Sequence, residues 1–311
     1  MTFALLCTGQ GHQNADMFRL TAEVPQAQPL FDCATQLLGA DPREPDFWQD
    51  ANRSFTNRAA QVLCTLQGLA AQAAMATHLP PRRCVAGYSV GELAAWGVAG
   101  VIAPLDVLEL AAKRADRMDA ARGNSVHSMV SIRGLSENQM ASLCAGKQAA
   151  IAIANPNLSW VVAGAAPDTA KIAAEAQAAG AAHITEIPVA VASHTFLMTS
   201  AAQAFGADLA QSRMTKRMPA GVRLLSGIDG RTVFDSTEGA QKLAAQVSQT
   251  VRWDACLQAL VEAGVTICLE LGPGRALAST LTSAYGSMEA RSVDDFATLQ
   301  GVLEWVDKRV A

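Results

Sequence analysis

The stretch Cys84–Trp96, CVAGYSVGELAAW, places a serine between two glycines at the end of an apolar run and follows it with a helix-forming run. Residues Gly87–Gly91 have the G-x-S-x-G form, which forms a nucleophile elbow when a strand precedes it and a helix follows. Such a turn strains the backbone of its central residue, and flanking glycines leave room for it. The stretch therefore predicts a strand-turn-helix unit that presents the Ser89 hydroxyl. A glycine-rich turn in which Ser89 only caps the helix, with Glu92 completing a capping box, remains the alternative.

Apolar runs typical of buried strands recur along the chain, and helical patterns separate most of them. This alternation predicts an α/β protein with a largely parallel sheet. The runs are Phe3 to Cys7, Cys84 to Ala86, His127 to Ile132, Ala149 to Ile153, Trp160 to Ala163, His183 to Pro188, Val222 to Leu225 and Thr266 to Leu271.

The order of elements changes between Gly123 and Pro188, where it becomes β-α-β-β-α-β. This is the ferredoxin-like order. It predicts a small subdomain of residues 123–189, inserted into a larger α/β body made of residues 1–122 and 190–311. A cleft between the two would be a natural ligand site.

Composition excludes several classes of function. The chain has 311 residues, of which 50% are hydrophobic and 17% charged, and its net charge is -4. A chain of this length can bury a substantial core. Because its net charge is negative, we expect no general attraction to nucleic acid or anionic lipid. The seven cysteines are scattered without metal-ligand spacing, so we expect a reducing cytoplasm and no metal site. We also expect a monomer, with no membrane-spanning segment.

Two side chains are candidates to act with the serine. His194, in PVAVASHTFLM, is predicted to follow a strand and begin an apolar helix, a position typical of functional loops. A histidine with a purely structural role is the alternative. Arg114 shares the apolar face of a helix that starts near Pro104, so it must find an anion or reach water. That anion is either a bound carboxylate or an Asp or Glu of the chain itself.

Seven motifs, in this order and at these spacings, resemble the malonyl-CoA:acyl carrier protein transacylases over nearly the whole chain. They are GQGHQ (Gly9 to Gln13), GYSVGE (Gly87 to Glu92), KRADRM around Arg114, ANPN (Ala154 to Asn157), PVAVASH (Pro188 to His194), QVSQTVRW (Gln246 to Trp253) and ELGPG (Glu270 to Gly274). The resemblance implies a hydrolase-like α/β body with a ferredoxin-like insertion. It also implies a ping-pong malonyl transfer from malonyl-CoA to a carrier-protein thiol, with no permanently bound cofactor.

The resemblance assigns a role to each candidate residue. Ser89 would be the acylated nucleophile, His194 its general base and Arg114 the ligand of the malonyl carboxylate. Further residues would bind or orient the substrate: the backbone N–H groups of Gln10 and Val90 as oxyanion hole, the main-chain carbonyl of Gln246 as the group that orients His194, and Asn155 as a substrate ligand. A valine at position 90 also resembles the malonyl-selecting form of related polyketide acyltransferases.

Several positions depart from the family pattern. Tyr88 replaces a histidine, Leu63 stands where relatives often have a glutamine, Ala192 replaces a proline, and the first loop reads CTGQG in place of PGQG. Together with the tail ARSVDDF (Ala290 to Phe296), they resemble the epsilon subunit of malonate decarboxylase, which loads malonate onto a dedicated carrier subunit. Three alternatives stay open: a fatty-acid or polyketide malonyltransferase, a serine thioesterase or hydrolase, and an inactive scaffold that docks a carrier protein.

Overall fold

The computed structural model describes residues 2–310, which form two five-stranded sheets with helices packed around them. The α-helices are α1 Gln28–Leu38, α2 Pro45–Gln49, α3 Ala51–Ser54, α4 Asn57–Met75, α5 Val90–Val98, α6 Pro104–Arg122, α7 Glu137–Cys144, α8 Ala166–Ala178, α9 Thr199–Gln211, α10 Ser236–Ala245, α11 Trp253–Glu262, α12 Ala276–Ala284 and α13 Leu299–Val310. None of them, within these residues, is long and apolar enough to cross a membrane.

The larger sheet is parallel throughout, in the order β10-β9-β1-β2-β7. Its strands are β1 Phe3–Cys7, β2 Arg83–Gly87, β7 Val222–Leu224, β9 Ile267–Glu270 and β10 Glu289–Ser292. The central strand β1 is buried along its whole length, and alternate side chains enter two hydrophobic cores. Phe3, Leu5 and Cys7 face one core, while Ala4 and Leu6 face the other. Burial on both faces explains why the strand reads as a continuous apolar run.

The smaller sheet has the order β6-β3-β5-β4-β8. Its strands are β3 His127–Arg133, β4 Ala149–Asn155, β5 Ser159–Ala165, β6 His183–Ile187 and β8 Val251–Arg252. The first four pair antiparallel, whereas β8 pairs parallel to β4. Because β8 comes from the chain beyond residue 190, the sheet is not built from residues 123–189 alone.

All eight strands predicted from apolar runs are present, and no end is shifted by more than two residues. Two strands were not predicted: β8 has two residues, and β10 has the polar sequence EARS. His194 lies between a strand and a helical segment as expected, but it directly adjoins neither of them. Strand β6 ends at Ile187, and a short 3-10 turn, Phe196–Met198, follows His194. His194 therefore lies in an irregular loop.

The turn between β2 and α5 requires both of its glycines. Ser89 has φ 57° and ψ −122°, a strained conformation for a residue with a side chain. A Cβ atom on Gly87 would lie 2.1 Å from the Gly91 carbonyl oxygen. One on Gly91 would lie 2.2 Å from the Cys7 carbonyl oxygen. Both contacts are with backbone, so a side chain at either position would have to displace the turn.

Replacing Gly91 by alanine should therefore destabilise the protein by about 1–3 kcal/mol, the usual cost of overpacking. It should also reduce the reactivity of Ser89. Thermal unfolding and labelling by a serine-directed fluorophosphonate measure the two effects. Gly286→Ala is the matched control, because a Cβ there meets nothing within 4 Å. Equal stability and labelling of the two variants would contradict the steric argument.

Candidate active site

Ser89 and His194 meet at the carboxyl end of the larger sheet. The Ser89 Oγ atom lies 2.8 Å from Nε2 of His194. Both residues have positive φ, and the His194 backbone N–H donates to the Val247 carbonyl at 2.9 Å. The strained elbow on one side and the anchored loop on the other therefore present a hydroxyl to an imidazole at hydrogen-bonding distance.

The protonation state of His194 follows from its second contact. Its Nδ1 atom lies 2.6 Å from the main-chain carbonyl oxygen of Gln246. A carbonyl can only accept, so Nδ1 carries the proton and Nε2 faces Ser89 with its lone pair. Burial lowers the pKa of His194 most, the charge of Arg114 also lowers it, and the bond to Gln246 raises it, which leaves a pKa of about 3. The imidazole is thus neutral near pH 7, which is the form that can accept the serine proton.

Arg114 lies on α6 and is 1% exposed. Its Nη1 donates to the side-chain oxygen of Gln61 at 2.7 Å, and its Nη2 to that of Gln246 at 3.3 Å. Its Nε has no partner in residues 2–310, and no carboxylate there forms an ion pair with it. The internal ion pair allowed by the sequence is therefore not formed. Arg114 is a buried cation held by neutral amide oxygens.

Gln246 contacts every charged or reactive group of the site. Besides its bonds to His194 and Arg114, its Nε2 donates to the Ser89 carbonyl at 3.2 Å and to the Glu92 carboxylate. Glu92 lies one helical turn beyond Ser89 and is 1% exposed. Burial raises the pKa of Glu92 to about 7, although bonds from Gly227 and Gln246 and the charge of Arg114 lower it.

A cavity of about 590 Å³ opens in front of the serine. Its walls come from the first loop, the elbow, strands β3–β5 and helix α12, and they include Gln10, Ser89, Asn155 and His194. Val90 is the first residue of α5, so its N–H has no acceptor within the helix. Arg114 is not among the residues that line this cavity. Residues 2–310 contain no group of three or more His, Cys, Asp or Glu placed to hold a metal ion.

The model of the acyl transferase domain family matches residues 34–302. The chain belongs to this family. The malonyl CoA-acyl carrier protein transacylase of Mycobacterium tuberculosis is 30% identical over 95% of this chain and 97% of its own. The crystal structure of an acyl-carrier-protein S-malonyltransferase from Burkholderia pseudomallei is 28% identical, with a TM-score of 0.88, and covers 98% of this chain and 100% of its own. The expectations of an acyltransferase and of an α/β fold with a parallel sheet are confirmed.

A third relative was solved with a carrier. It is a malonyl-transacylase in complex with a type II PKS acyl-carrier protein, 25% identical, with a TM-score of 0.87 and coverage of 98% of this chain and 99% of its own. The structures thus match the acyltransferase over nearly its whole length.

One departure, Leu63, lies on the same helix as a glutamine that contacts Arg114. Leu63 is fully buried in the hydrophobic core of the acyltransferase, and the glutamine that faces the site is Gln61. Positions two apart on a helix point about 200° away from each other, so only one of them can face Arg114. The departure at position 63 therefore does not affect the site.

Two other departures have structural consequences in the acyltransferase. The ring of Tyr88 packs edge-on against Trp253, with centroids 5.4 Å apart. Burial raises the pKa of Tyr88 to about 12, and a hydrogen bond with the side chain of Asn155 opposes the rise. Ala192 donates its N–H to Nδ1 of His127 at 3.3 Å, a bond that proline could not form. The residue thus ties the loop of His194 to strand β3.

The low pKa of His194 predicts a loss of stability in acid. The unfolded chain binds a proton at this position below about pH 6.5, whereas the folded chain does not until about pH 3. Stability is therefore fully present above pH 6.5 and falls as the pH drops below it, by about 2 kcal/mol between pH 6.5 and 5. Urea unfolding of the wild type and of His194→Gln at pH 7.5 and 5 measures the effect. An equal pH dependence of the two proteins would contradict it.

Proposed function

We propose that this protein transfers a malonyl group from malonyl-CoA to the phosphopantetheine-type thiol of an acyl carrier protein. The observation that carries the proposal is the buried guanidinium of Arg114 beside a Ser89–His194 pair. A neutral acyl group has no need of a buried cation, whereas a malonyl group carries a free carboxylate that a guanidinium binds bidentately. The related malonyl CoA-acyl carrier protein transacylases support the same substrate.

The first half-reaction places the acyl group on the serine. Ser89 Oγ attacks the thioester carbonyl as Nε2 of His194 takes its proton. The carbonyl oxygen becomes an oxyanion, which the N–H groups of Gln10 and Val90 stabilise at the N-terminus of α5. The bond from carbon to sulfur then breaks, and His194 returns the proton to the CoA sulfur. In the second half-reaction the carrier thiol attacks the Ser89 ester by the same steps in reverse.

The malonyl carboxylate would take the place of the amide oxygens on Arg114. Gln61 and Gln246 are neutral acceptors, so a carboxylate that displaces one of them gains a charge-assisted bond. Asn155, which lines the cavity and bonds with Tyr88, would bind the rest of the acyl-thioester substrate. Val90 would contribute to the choice of malonyl through its buried side chain.

The architecture supports a two-part enzyme. We propose that residues 1–122 and 190–311 form a hydrolase-like body and residues 123–189 a ferredoxin-like insertion. The order β6-β3-β5-β4 and the element order β3-α7-β4-β5-α8-β6 support the second assignment. The cavity takes its walls from both parts.

Replacing Arg114 by alanine should reduce malonyl transfer to Ser89 by roughly 100-fold, since loss of one partner of a buried charge pair costs about 2–5 kcal/mol. Transfer of acetyl should change far less. Intact-mass measurement of the acyl-enzyme after mixing with malonyl-CoA or acetyl-CoA gives both rates. Lys113→Ala, on the exposed face of α6, is the matched control, and Ser89→Ala gives the background.

Each alternative function has its own outcome in this assay. Equal losses of malonyl and acetyl transfer would show that Arg114 does not bind the malonyl carboxylate. An adduct that disappears without a carrier would indicate a thioesterase. The absence of any adduct on Ser89 would indicate a scaffold.

A narrower proposal concerns the carrier. The four departures from the family pattern and the segment Ala290–Phe296 resemble the malonate decarboxylase epsilon subunit, although the related transacylases support a general acyl-carrier-protein malonyltransferase better. If the narrower proposal holds, the acyl-enzyme should transfer malonyl at least about tenfold faster to a carrier bearing the CoA-like group of malonate decarboxylase than to a fatty-acid carrier protein, a difference of about 1.4 kcal/mol. Single-turnover transfer to the two purified carriers measures it, and a preference for the fatty-acid carrier would overturn it. Cytoplasmic location and a monomeric state stay predictions.

A further inference from the structure

Glu92 is a buried acid for which the acyl-transfer steps above have no use. It lies on α5, whose nine residues are all buried and otherwise without charge. One carboxylate oxygen accepts from Nε2 of Gln246, and the Gly227 N–H also donates to this side chain. The other oxygen has no partner in residues 2–310. A Cβ on Gly227 would lie 2.4 Å from Oε2 of Glu92, so the backbone at this position leaves space for the carboxylate.

The amide of Gln246 links Glu92 to Arg114. Its nitrogen donates to Glu92, and its oxygen accepts from Nη2 of Arg114 at 3.3 Å. The two charged groups interact electrostatically, although no ion pair within 4.0 Å joins them. An isolated buried charge is costly, so each group stabilises the charged form of the other across the amide. Glu92 is therefore the counter-charge of Arg114 in the free enzyme.

We propose that Glu92 takes up a proton when the malonyl carboxylate binds to Arg114. This inference rests on the proposed function. A second carboxylate at Arg114 leaves two negative groups sharing one guanidinium in a site from which water is largely excluded, and one of them then favours its protonated form. The proton comes from solvent, no covalent bond changes, and the net charge of the buried site is the same before and after binding.

The surroundings of Glu92 make it the group that titrates. Burial already raises its pKa to about 7, so its charged form is readily protonated near neutral pH. Asp229, in the loop after β7, raises the pKa of Glu92 and forms an ion pair with Lys242. The thiol of Cys256 on α11 is neutral because burial raises its pKa well above the usual value. His194, on the far side of Gln246, is neutral as well.

Calorimetric titration measures the proton directly. The Ser89→Ala protein binds malonyl-CoA or acetyl-CoA without turnover, and titrations at pH 8 in phosphate and in Tris, whose ionisation enthalpies differ, count the protons bound. We expect binding of malonyl-CoA to take up about one more proton than binding of acetyl-CoA. Acetyl-CoA is the control, because it contains the same CoA part without the free carboxylate. The Kd for malonyl-CoA should rise by up to tenfold per pH unit above pH 8, and that for acetyl-CoA should not.

A second variant assigns the proton to Glu92. In Ser89→Ala/Glu92→Gln the additional proton should disappear and the Kd for malonyl-CoA should lose its pH dependence, while acetyl-CoA binding shows that the variant is folded. An unchanged proton count in this variant would overturn the inference. If the double variant does not fold, the Ser89→Ala protein provides the test. Equal proton counts for malonyl-CoA and acetyl-CoA in that protein would overturn the inference.

The two proposals fail in different ways. If malonyl-CoA acylates wild-type Ser89 and yet binds with no additional proton, only the role of Glu92 is wrong. If malonyl-CoA neither binds nor acylates Ser89, the proposed function is wrong, and this inference with it.

Discussion

One buried glutamine, Gln246, determines the arrangement of the site. Its main-chain carbonyl fixes the tautomer of His194, and its side chain contacts the Ser89 backbone, Glu92 and Arg114. Gln246 is fully buried, so any of these bonds that is lost leaves an unsatisfied polar group at a cost of about 1–3 kcal/mol. The geometry of Ser89, His194 and Arg114 is therefore a single cooperative arrangement.

The use of a carbonyl in place of a third acid follows from the neighbouring cation. An aspartate beside His194 would raise the pKa of the imidazole and would also pair with Arg114. The guanidinium would then be neutralised within the protein and less available to a substrate carboxylate. A neutral acceptor orients His194 without either effect. The distant Glu92 instead supplies the negative charge, with the amide of Gln246 between it and Arg114.

Sequence patterns predicted the features that depend on residues close together in the chain. Buried parallel strands read as apolar runs, the glycines around Ser89 mark a sharp turn, and helical periodicity places Arg114 on a buried face. The same patterns miss what depends on tertiary contacts. Strand β8 is too short to show a periodic pattern. No sequence pattern indicates that Gln61 bonds to Arg114 or that Glu92 bonds to Gln246. Whether Gln61 or Leu63 faces Arg114 depends on how α4 is rotated about its axis, which the sequence pattern does not give.

The register of two parallel strands brings the remaining parts of the site together. Cys7 at the end of β1 pairs with Gly87 at the end of β2, so the loop after one strand lies beside the elbow after the other. The contact is close enough that a Cβ on Gly9 would lie 2.8 Å from the Tyr88 carbonyl oxygen. The first loop and the start of α5 are adjacent for this reason, which supports the proposed role of the N–H groups of Gln10 and Val90. The sheet thus sets where the two proposed oxyanion donors lie relative to each other.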